Sequence, residues 1–222
     1  AINIMKKLLL LLFVGIVGIG NAQTTAIPDA NFEQALIDLG LDNVIDGGVL
    51  TANIDTATYL NVQYSNISSL TGIEGFTSLE VLICRGNLIS DLNISQNLAI
   101  KTLLIGGNQL TSVDLFNNTN LTHLSAGLQP LESLNVSNNL LLRNINCSEN
   151  SLQELDLSNN PALITVDLEY TLLTCLNVAN GTNEANQLDL YTTNIPTLSC
   201  IEVDDVAYST AFFSEVGVGQ TF

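Results

Sequence analysis

Few residues in this chain have the types and spacing that reaction chemistry demands. There is one His, His123, and no Trp. A lone His without a nucleophile at a recognisable spacing is not half of a nucleophile–base pair. Ser and Asp are plentiful, yet the sequence contains no nucleophile elbow, no paired His for a metal and no Gly-rich phosphate loop. The carboxylate pairs, Asp204 with Asp205 and Asp167 with Glu169, read as solvated faces rather than acid–base dyads. Asp42, Asp46 and Gly47 match part of a calcium loop. Val44, however, stands where an oxygen ligand belongs, and Asn53 where the bidentate Glu should be. That stretch therefore reads as a turn. No catalytic residue, metal or cofactor is expected, and the remaining chemistry is that of recognition: tyrosines, an arginine and rows of asparagine.

What positions those residues is a repeat. From Leu79 the sequence reads LxxLxCxxNxI, with Leu79, Leu82, Cys84, Asn87 and Ile89 in fixed columns. The same columns return 21 residues later as Ile100, Leu103, Ile105, Asn108 and Leu110, and again as Leu142, Ile145, Cys147, Asn150 and Leu152. Each unit has a second half, LxLxxN, as in Leu92, Ile94, Asn97 and Leu155, Leu157, Asn160. A fixed period in the twenties marks a solenoid, whose coils bury their apolar side only by stacking. The fourth column runs Leu60, Leu82, Leu103, Leu124, Ile145, Val166 and Leu188, giving seven coils with spacings of 21 or 22 residues. Alternation around it predicts a strand, with columns four and six inward and column five outward. Stacked coils then form one parallel sheet roughly 30 Å long at ordinary strand spacing. The Asn-rich ends of the second halves, such as Gln96-Asn97 and Asn117-Asn118, read as turns.

Those columns sort the side chains. The ninth holds Asn87, Asn108 and Asn150, with Gln129 and Thr171 in other coils. A buried Asn there is expected to bond backbone groups of its own and the next coil as a ladder. Gln129 falls in the fourth coil, beside Ala126 and Pro130, where irregularity is expected. Cys84 and Cys147 occupy the inward sixth column three coils apart, roughly 14 Å at strand spacing, too far for a disulfide. Cys175 and Cys200 lie on neighbouring turns near the end; a disulfide and two free thiols both remain open there. Columns three, five, seven and eight share the exposed side of the first-half strand. Tyr59, Tyr64, Tyr170 and Tyr191 fall in them, with Arg85, His123 and Glu169, so that face is the candidate binding surface. Column fifteen is an outward polar row, Asn93, Asp114, Asn135, Asp156 and Asn177, which reads as solvation and protection of a strand edge. Asn-x-Ser/Thr triplets such as those at Asn66 and Asn93 follow from the repeat and are not read as glycan sites.

The flanks set the context. Residues 1–4 precede Met5; Lys6-Lys7, the apolar run Leu8 to Ile19 and Gly20-Asn21-Ala22 read as a signal peptide over 5–22. The run is too short to span a membrane as a helix, so no membrane insertion is expected after cleavage and the product is exported. Residues 23–56 read as an N-terminal cap with a helix over about 28–39: Pro28 suits the first turn, and Phe32, Leu36 and Leu39 share a face before the stop at Gly40. Repeats fill 57–184, and 185–222 hold the last repeat and a C-terminal cap. After the leader, 3 basic residues face 22 acidic ones, 3 − 22 = −19. Such a surface repels nucleic acid and anionic lipid.

Units such as LQELDLSNNPAL and LEVLICRGNLISDLNIS resemble bacterial leucine-rich repeats of the nested 21-residue type, in which Cys is common at the sixth column. The opening IPDANFEQALIDLGLD and the ending CIEVDDVAYST are similar to the caps of secreted leucine-rich-repeat proteins of Bacteroidota. The resemblance implies a β-rich, nominally α/β, right-handed solenoid with a curved, concave parallel sheet and little helix in the repeats. It also implies a secreted or cell-surface module that recognises a protein or glycan, or else a structural spacer or adhesive stalk within a larger surface protein. Members often continue into a sorting domain for type IX secretion; this chain stops at Phe222 without one, so a truncated chain is expected.

Overall fold

The computed structural model describes residues 23–207 and residue 209. The leader over 5–22, residues 1–4 before it and the segment from 210 onward lie outside the described residues.

Strand β1 (Thr24–Ala26) pairs antiparallel with β2 (Gly48–Leu50), and helix α1 (Ala30–Asp38) runs between them. Asp29 caps the helix: its Oδ1 accepts the N–H groups of Asn31 and Phe32 at 2.9 and 3.0 Å. Its Oδ2 reaches the first coil, accepting from Ser68 N–H and hydroxyl and from Ser69 N–H. Burial by itself would raise the pKa of Asp29. The hydrogen bonds, led by the Ser68 hydroxyl, outweigh it and hold the carboxyl below its ordinary value. Pro28 thus stands outside the helix, before the cap residue, rather than in the first turn. Phe32 and Leu36 are buried, and Phe32 stacks against Phe76 of the first coil at 6.4 Å between centroids. Leu39 does not join that face. It follows the end of the helix, where the helical period no longer applies, and it is exposed.

The Asp42–Gly47 stretch closes on a side chain. Buried Glu33 accepts the N–H groups of Asp46, Gly47 and Gly48 through one oxygen at 3.0, 2.7 and 2.9 Å. Three converging donors make a seat for a carboxylate, which fits a turn. A short helix, α2 (Thr51–Ile54), leads into the coils.

Seven parallel strands follow: β3 (Tyr59–Asn61), β4 (Val81–Ile83), β5 (Thr102–Leu104), β6 (His123–Ser125), β7 (Asn144–Asn146), β9 (Thr165–Asp167) and β11 (Asp189–Tyr191). The register aligns Leu60, Leu82, Leu103, Leu124, Ile145 and Val166, all buried. The next partner of Val166 is Leu190, not Leu188. A four-residue helix, α3 (Asn183–Asn186), lengthens the sixth coil so that the spacing there is 24 residues (190 − 166). Leu188 is buried too, which is why hydrophobicity alone did not expose the slip. Tyr191 consequently stands in column five, opposite Asp167.

The second halves build a sheet only at one end: β8 (Glu154–Asp156), β10 (Cys175–Asn177) and β12 (Cys200–Glu202) are parallel neighbours. Cys175 pairs in register with Cys200, their Cα atoms are 4.9 Å apart, and a disulfide joins them. Elsewhere the second halves are turns around fully buried Asn97, Asn118 and Asn139, and Asn160 takes the same place after β8. The fourth coil keeps its place in the sheet, since β6 pairs with both neighbours. Its irregularity shows at Gln129, whose amide nitrogen bonds only the Ala126 carbonyl of its own coil, and at Leu134, half-buried where the matching residues of other coils are buried. The architecture is a leucine-rich-repeat solenoid of about seven turns, with a curved parallel sheet and little helix.

Candidate functional site

The sheet's open face is fixed by the backbone before any ligand is considered. With column four packed inward, columns three and five must point away from the core. Asn87, Asn108 and Asn150 hold the turn that follows. Asn108 donates to the carbonyls of Cys84 and Ile105 at 3.0 and 2.8 Å and accepts from Ile89 N–H at 3.2 Å. Asn150 repeats this with Ala126, Cys147 and Leu131. Each bonds its own coil and the preceding one, the reverse of the direction expected, because the side chain leans back along the stack. Thr171 takes the same column and bonds only the Leu168 carbonyl of its own coil.

Column eight is the turn's tightest point. Its residues are Tyr64, Gly86, Gly107, Leu128, Glu149, Tyr170 and Asn194, and all seven have φ between 54° and 69°. Glycine is at ease there; a bulky side chain pays roughly 1–2 kcal/mol of steric cost in that region. Tyr64 and Tyr170 nevertheless occupy it, 70% and 57% exposed, and so does Leu128 at 61%. A Cβ on Gly86 would lie 2.3 Å from the Tyr64 ring, so glycine in the second coil is what lets that ring lie down along the rim.

The expected binding residues do not form one patch. Tyr59, Tyr64 and Arg85 sit at the first two coils, beside half-buried Val81, Ile83 and Leu104 on the same face. At the other end His123, Glu169 and Tyr191 line one cleft of about 460 Å³. Tyr170 stands in the sixth coil, next to Glu169 of that cleft. The cleft has polar walls that sequence reading passed over, Ser125, Asn144, Asn146 and Thr165, and it takes in Asp167, read from the sequence with Glu169 as a solvated face. Writing out columns three and five for coils four to seven would have found them. Asp167 accepts from Asn146 at 2.6 Å and from Glu169 N–H at 3.3 Å. Glu169 accepts from the Thr193 hydroxyl. His123 is exposed, with Nδ1 2.8 Å from the Thr122 hydroxyl.

Beneath this face the two free thiols are inert. Burial pushes Cys84 up to about 12, and burial with the Asp167 charge does the same to Cys147. Neither carries thiolate at neutral pH, so neither is a nucleophile. On the other side of the coil, column fifteen closes turns. Asn93, Asp114, Asn135, Asp156 and Asn177 each accept the N–H two residues on. Among the described residues no group of three or more His, Cys, Asp or Glu is placed to hold a metal ion, and no helix is long and apolar enough to cross a membrane.

Stacked coils, an open sheet face and turns held by side chains behind it make the leucine-rich-repeat fold, which suggests a protein-interaction module. The solved structures that it resembles are leucine-rich-repeat proteins. A functional domain of InlJ from Listeria monocytogenes, described as including a cysteine ladder, is 29% identical with a TM-score of 0.62 over 82% of this chain and 43% of that one. The internalin InlF from Listeria monocytogenes is 20% identical with a TM-score of 0.56, covering 86% of this chain and 68% of that one. The leucine-rich-repeat protein LIC12759 from Leptospira interrogans is 21% identical with a TM-score of 0.55, covering 67% of this chain and 38% of that one. This chain therefore spans less than half of the InlJ domain. No protein-family model matches it, and no characterised protein matches it by sequence.

Proposed function

We propose that this chain is an exported recognition module that binds a protein ligand across its concave sheet. The observation that carries the reading is the left-handed column eight. Tyrosine stands there twice at a steric cost that glycine avoids in coils two and three. Local strain of this kind collects where a side chain must be presented. Exposed aromatic rings and an arginine supply the anchors in which interface energy concentrates. Export is supported by the leader over 5–22 and by the Cys175–Cys200 disulfide, which suits an oxidising compartment. The cap over 23–56, the repeats over 57–184 and the closing segment over 185–222 form one recognition unit, of the kind secreted by Bacteroidota.

The test replaces Tyr59 and Tyr191 by Ala, and Tyr64 and Tyr170 by Gly, the residue that their turn prefers. Each variant is melted and then titrated against the protein ligand found on cell-surface protein arrays. Binding is expected to weaken by on the order of tenfold or more at the strongest anchor, with melting midpoints held or raised at Tyr64 and Tyr170. Binding lost through Asp114→Asn and Asp156→Asn but kept in all four tyrosine variants would overturn the reading. No ligand on protein or glycan arrays would instead favour a spacer.

A further inference from the structure

Charge is not uniform along the solenoid, and that asymmetry names a ligand class. Of 22 acidic residues, eleven follow Asn144, and no Lys, Arg or His stands among the 78 residues from 145 to 222 (222 − 144). The cleft at coils four to seven opens on this part of the solenoid. Its only titratable groups of basic type come from His123, while Asp167 and Glu169 face it from the sixth coil and Tyr191 from the seventh. Hydrogen bonds from Asn146, Thr193 and the Glu169 N–H fix both carboxylates in position, but none of those donors carries a charge. The Lys101–Glu80 ion pair lies outside this cleft.

Resting on the concave-face reading, we propose that this cleft takes a Lys or Arg side chain from a basic, extended segment of the protein ligand. The head group would meet the Asp167 and Glu169 carboxylates, and Tyr191, 38% exposed, would cover the alkyl stem or stack on the cation. Asn144, Asn146 and Ser125 offer hydrogen-bonding groups for the backbone or neighbouring side chains of that segment. A long-range field of one sign also steers such a ligand toward this end of the sheet.

The probe is a fluorescent ten-residue Gly/Ser peptide carrying two Arg, compared with the same peptide carrying citrulline in their place. The experiment uses the secreted chain at about physiological salt, where unspecific attraction to a polyanion is screened. Asp167→Asn with Glu169→Gln is expected to weaken binding of the Arg peptide by on the order of tenfold. The control, Asp114→Asn with Asp156→Asn, removes the same charge behind the sheet, using the residue that other coils carry there, and is expected to change binding less than about twofold. Melting curves confirm that both doubles are folded. Equal loss in the two doubles, equal binding of the citrulline peptide, or capture of neutral oligosaccharides insensitive to the cleft variants would each overturn the inference. If the cognate ligand depends on Tyr59, Tyr64 and Tyr170 but ignores Asp167 and Glu169, the ligand class is wrong and the concave face stands. If it ignores both sets, both readings fall.

Discussion

Front and back of each coil solve the same stacking problem with different freedom. In front, seven strands pair in register, so the backbone is satisfied by its neighbours and columns three and five are left to vary. They run from Tyr59, Val81 and Ile83 at one end to Asn146, Asp167 and Tyr191 at the other. Behind, most second halves lack strands and the turns are held by side chains. Column fifteen repeats Asn or Asp because each closes its own turn, and the fully buried Asn97, Asn118, Asn139 and Asn160 donate to carbonyls of the preceding coil. Where a side chain performs the folding, its identity is fixed; where the ladder performs it, the outward residue is free for recognition.

The two buried asparagine columns give the largest test of that contrast. Asn108 in front serves two carbonyls and one N–H. Asn118 behind serves two carbonyls, and its Oδ1 is buried without a partner. Removing Asn108 orphans more of the backbone, whereas removing Asn118 also removes an unpaired acceptor. Asn108→Ala is expected to cost ~1–3 kcal/mol, and Asn118→Ala measurably less, by urea or thermal melts. The opposite order would mean that the back, not the front, holds the stack together.

A smaller effect concerns the join between cap and first coil, where Asp29 both caps α1 and accepts hydrogen bonds from Ser68 and Ser69. Asp29→Ala is expected to cost about 1 kcal/mol at neutral pH. Because the folded pKa is lowered, the ionised carboxylate's contribution is present above the unfolded value near 4 and is lost as pH falls through the folded one. The gap between wild type and variant should therefore narrow in melts taken from pH 5 down to pH 2. A gap that stays constant would remove the carboxylate's charge from the account.

The smallest effect is expected at Asp114→Asn and Asp156→Asn. Asn closes the same turn in three other coils, so stability should move by less than ~0.5 kcal/mol, and ligand binding should not move. A change in binding there would break the division between a structural back and a recognising front.

The sequence by itself determined the coil. Apolar residues at columns one, four, six and eleven, with Asn at nine, admit one way of burying every large side chain, and stacking follows because a single coil has no core. The inward thiols at Cys84 and Cys147 and the outward placement of Tyr59, Tyr64 and Tyr170 come from the same period. What the period could not carry is anything that interrupts it or depends on two coils at once. The four-residue helix at Asn183–Asn186 shifts Leu190 into register, and both Leu188 and Leu190 are apolar, so only strand pairing distinguishes them. The division of the open face into two clusters, the clamp of Asp29 on Ser68 and the meeting of Asp167, Glu169 and Tyr191 in one cleft depend on neighbouring coils. Asp29 and Ser68, and Tyr191 and the Asp167–Glu169 pair, lie more than twenty positions apart, and only the stacked backbone sets their distance.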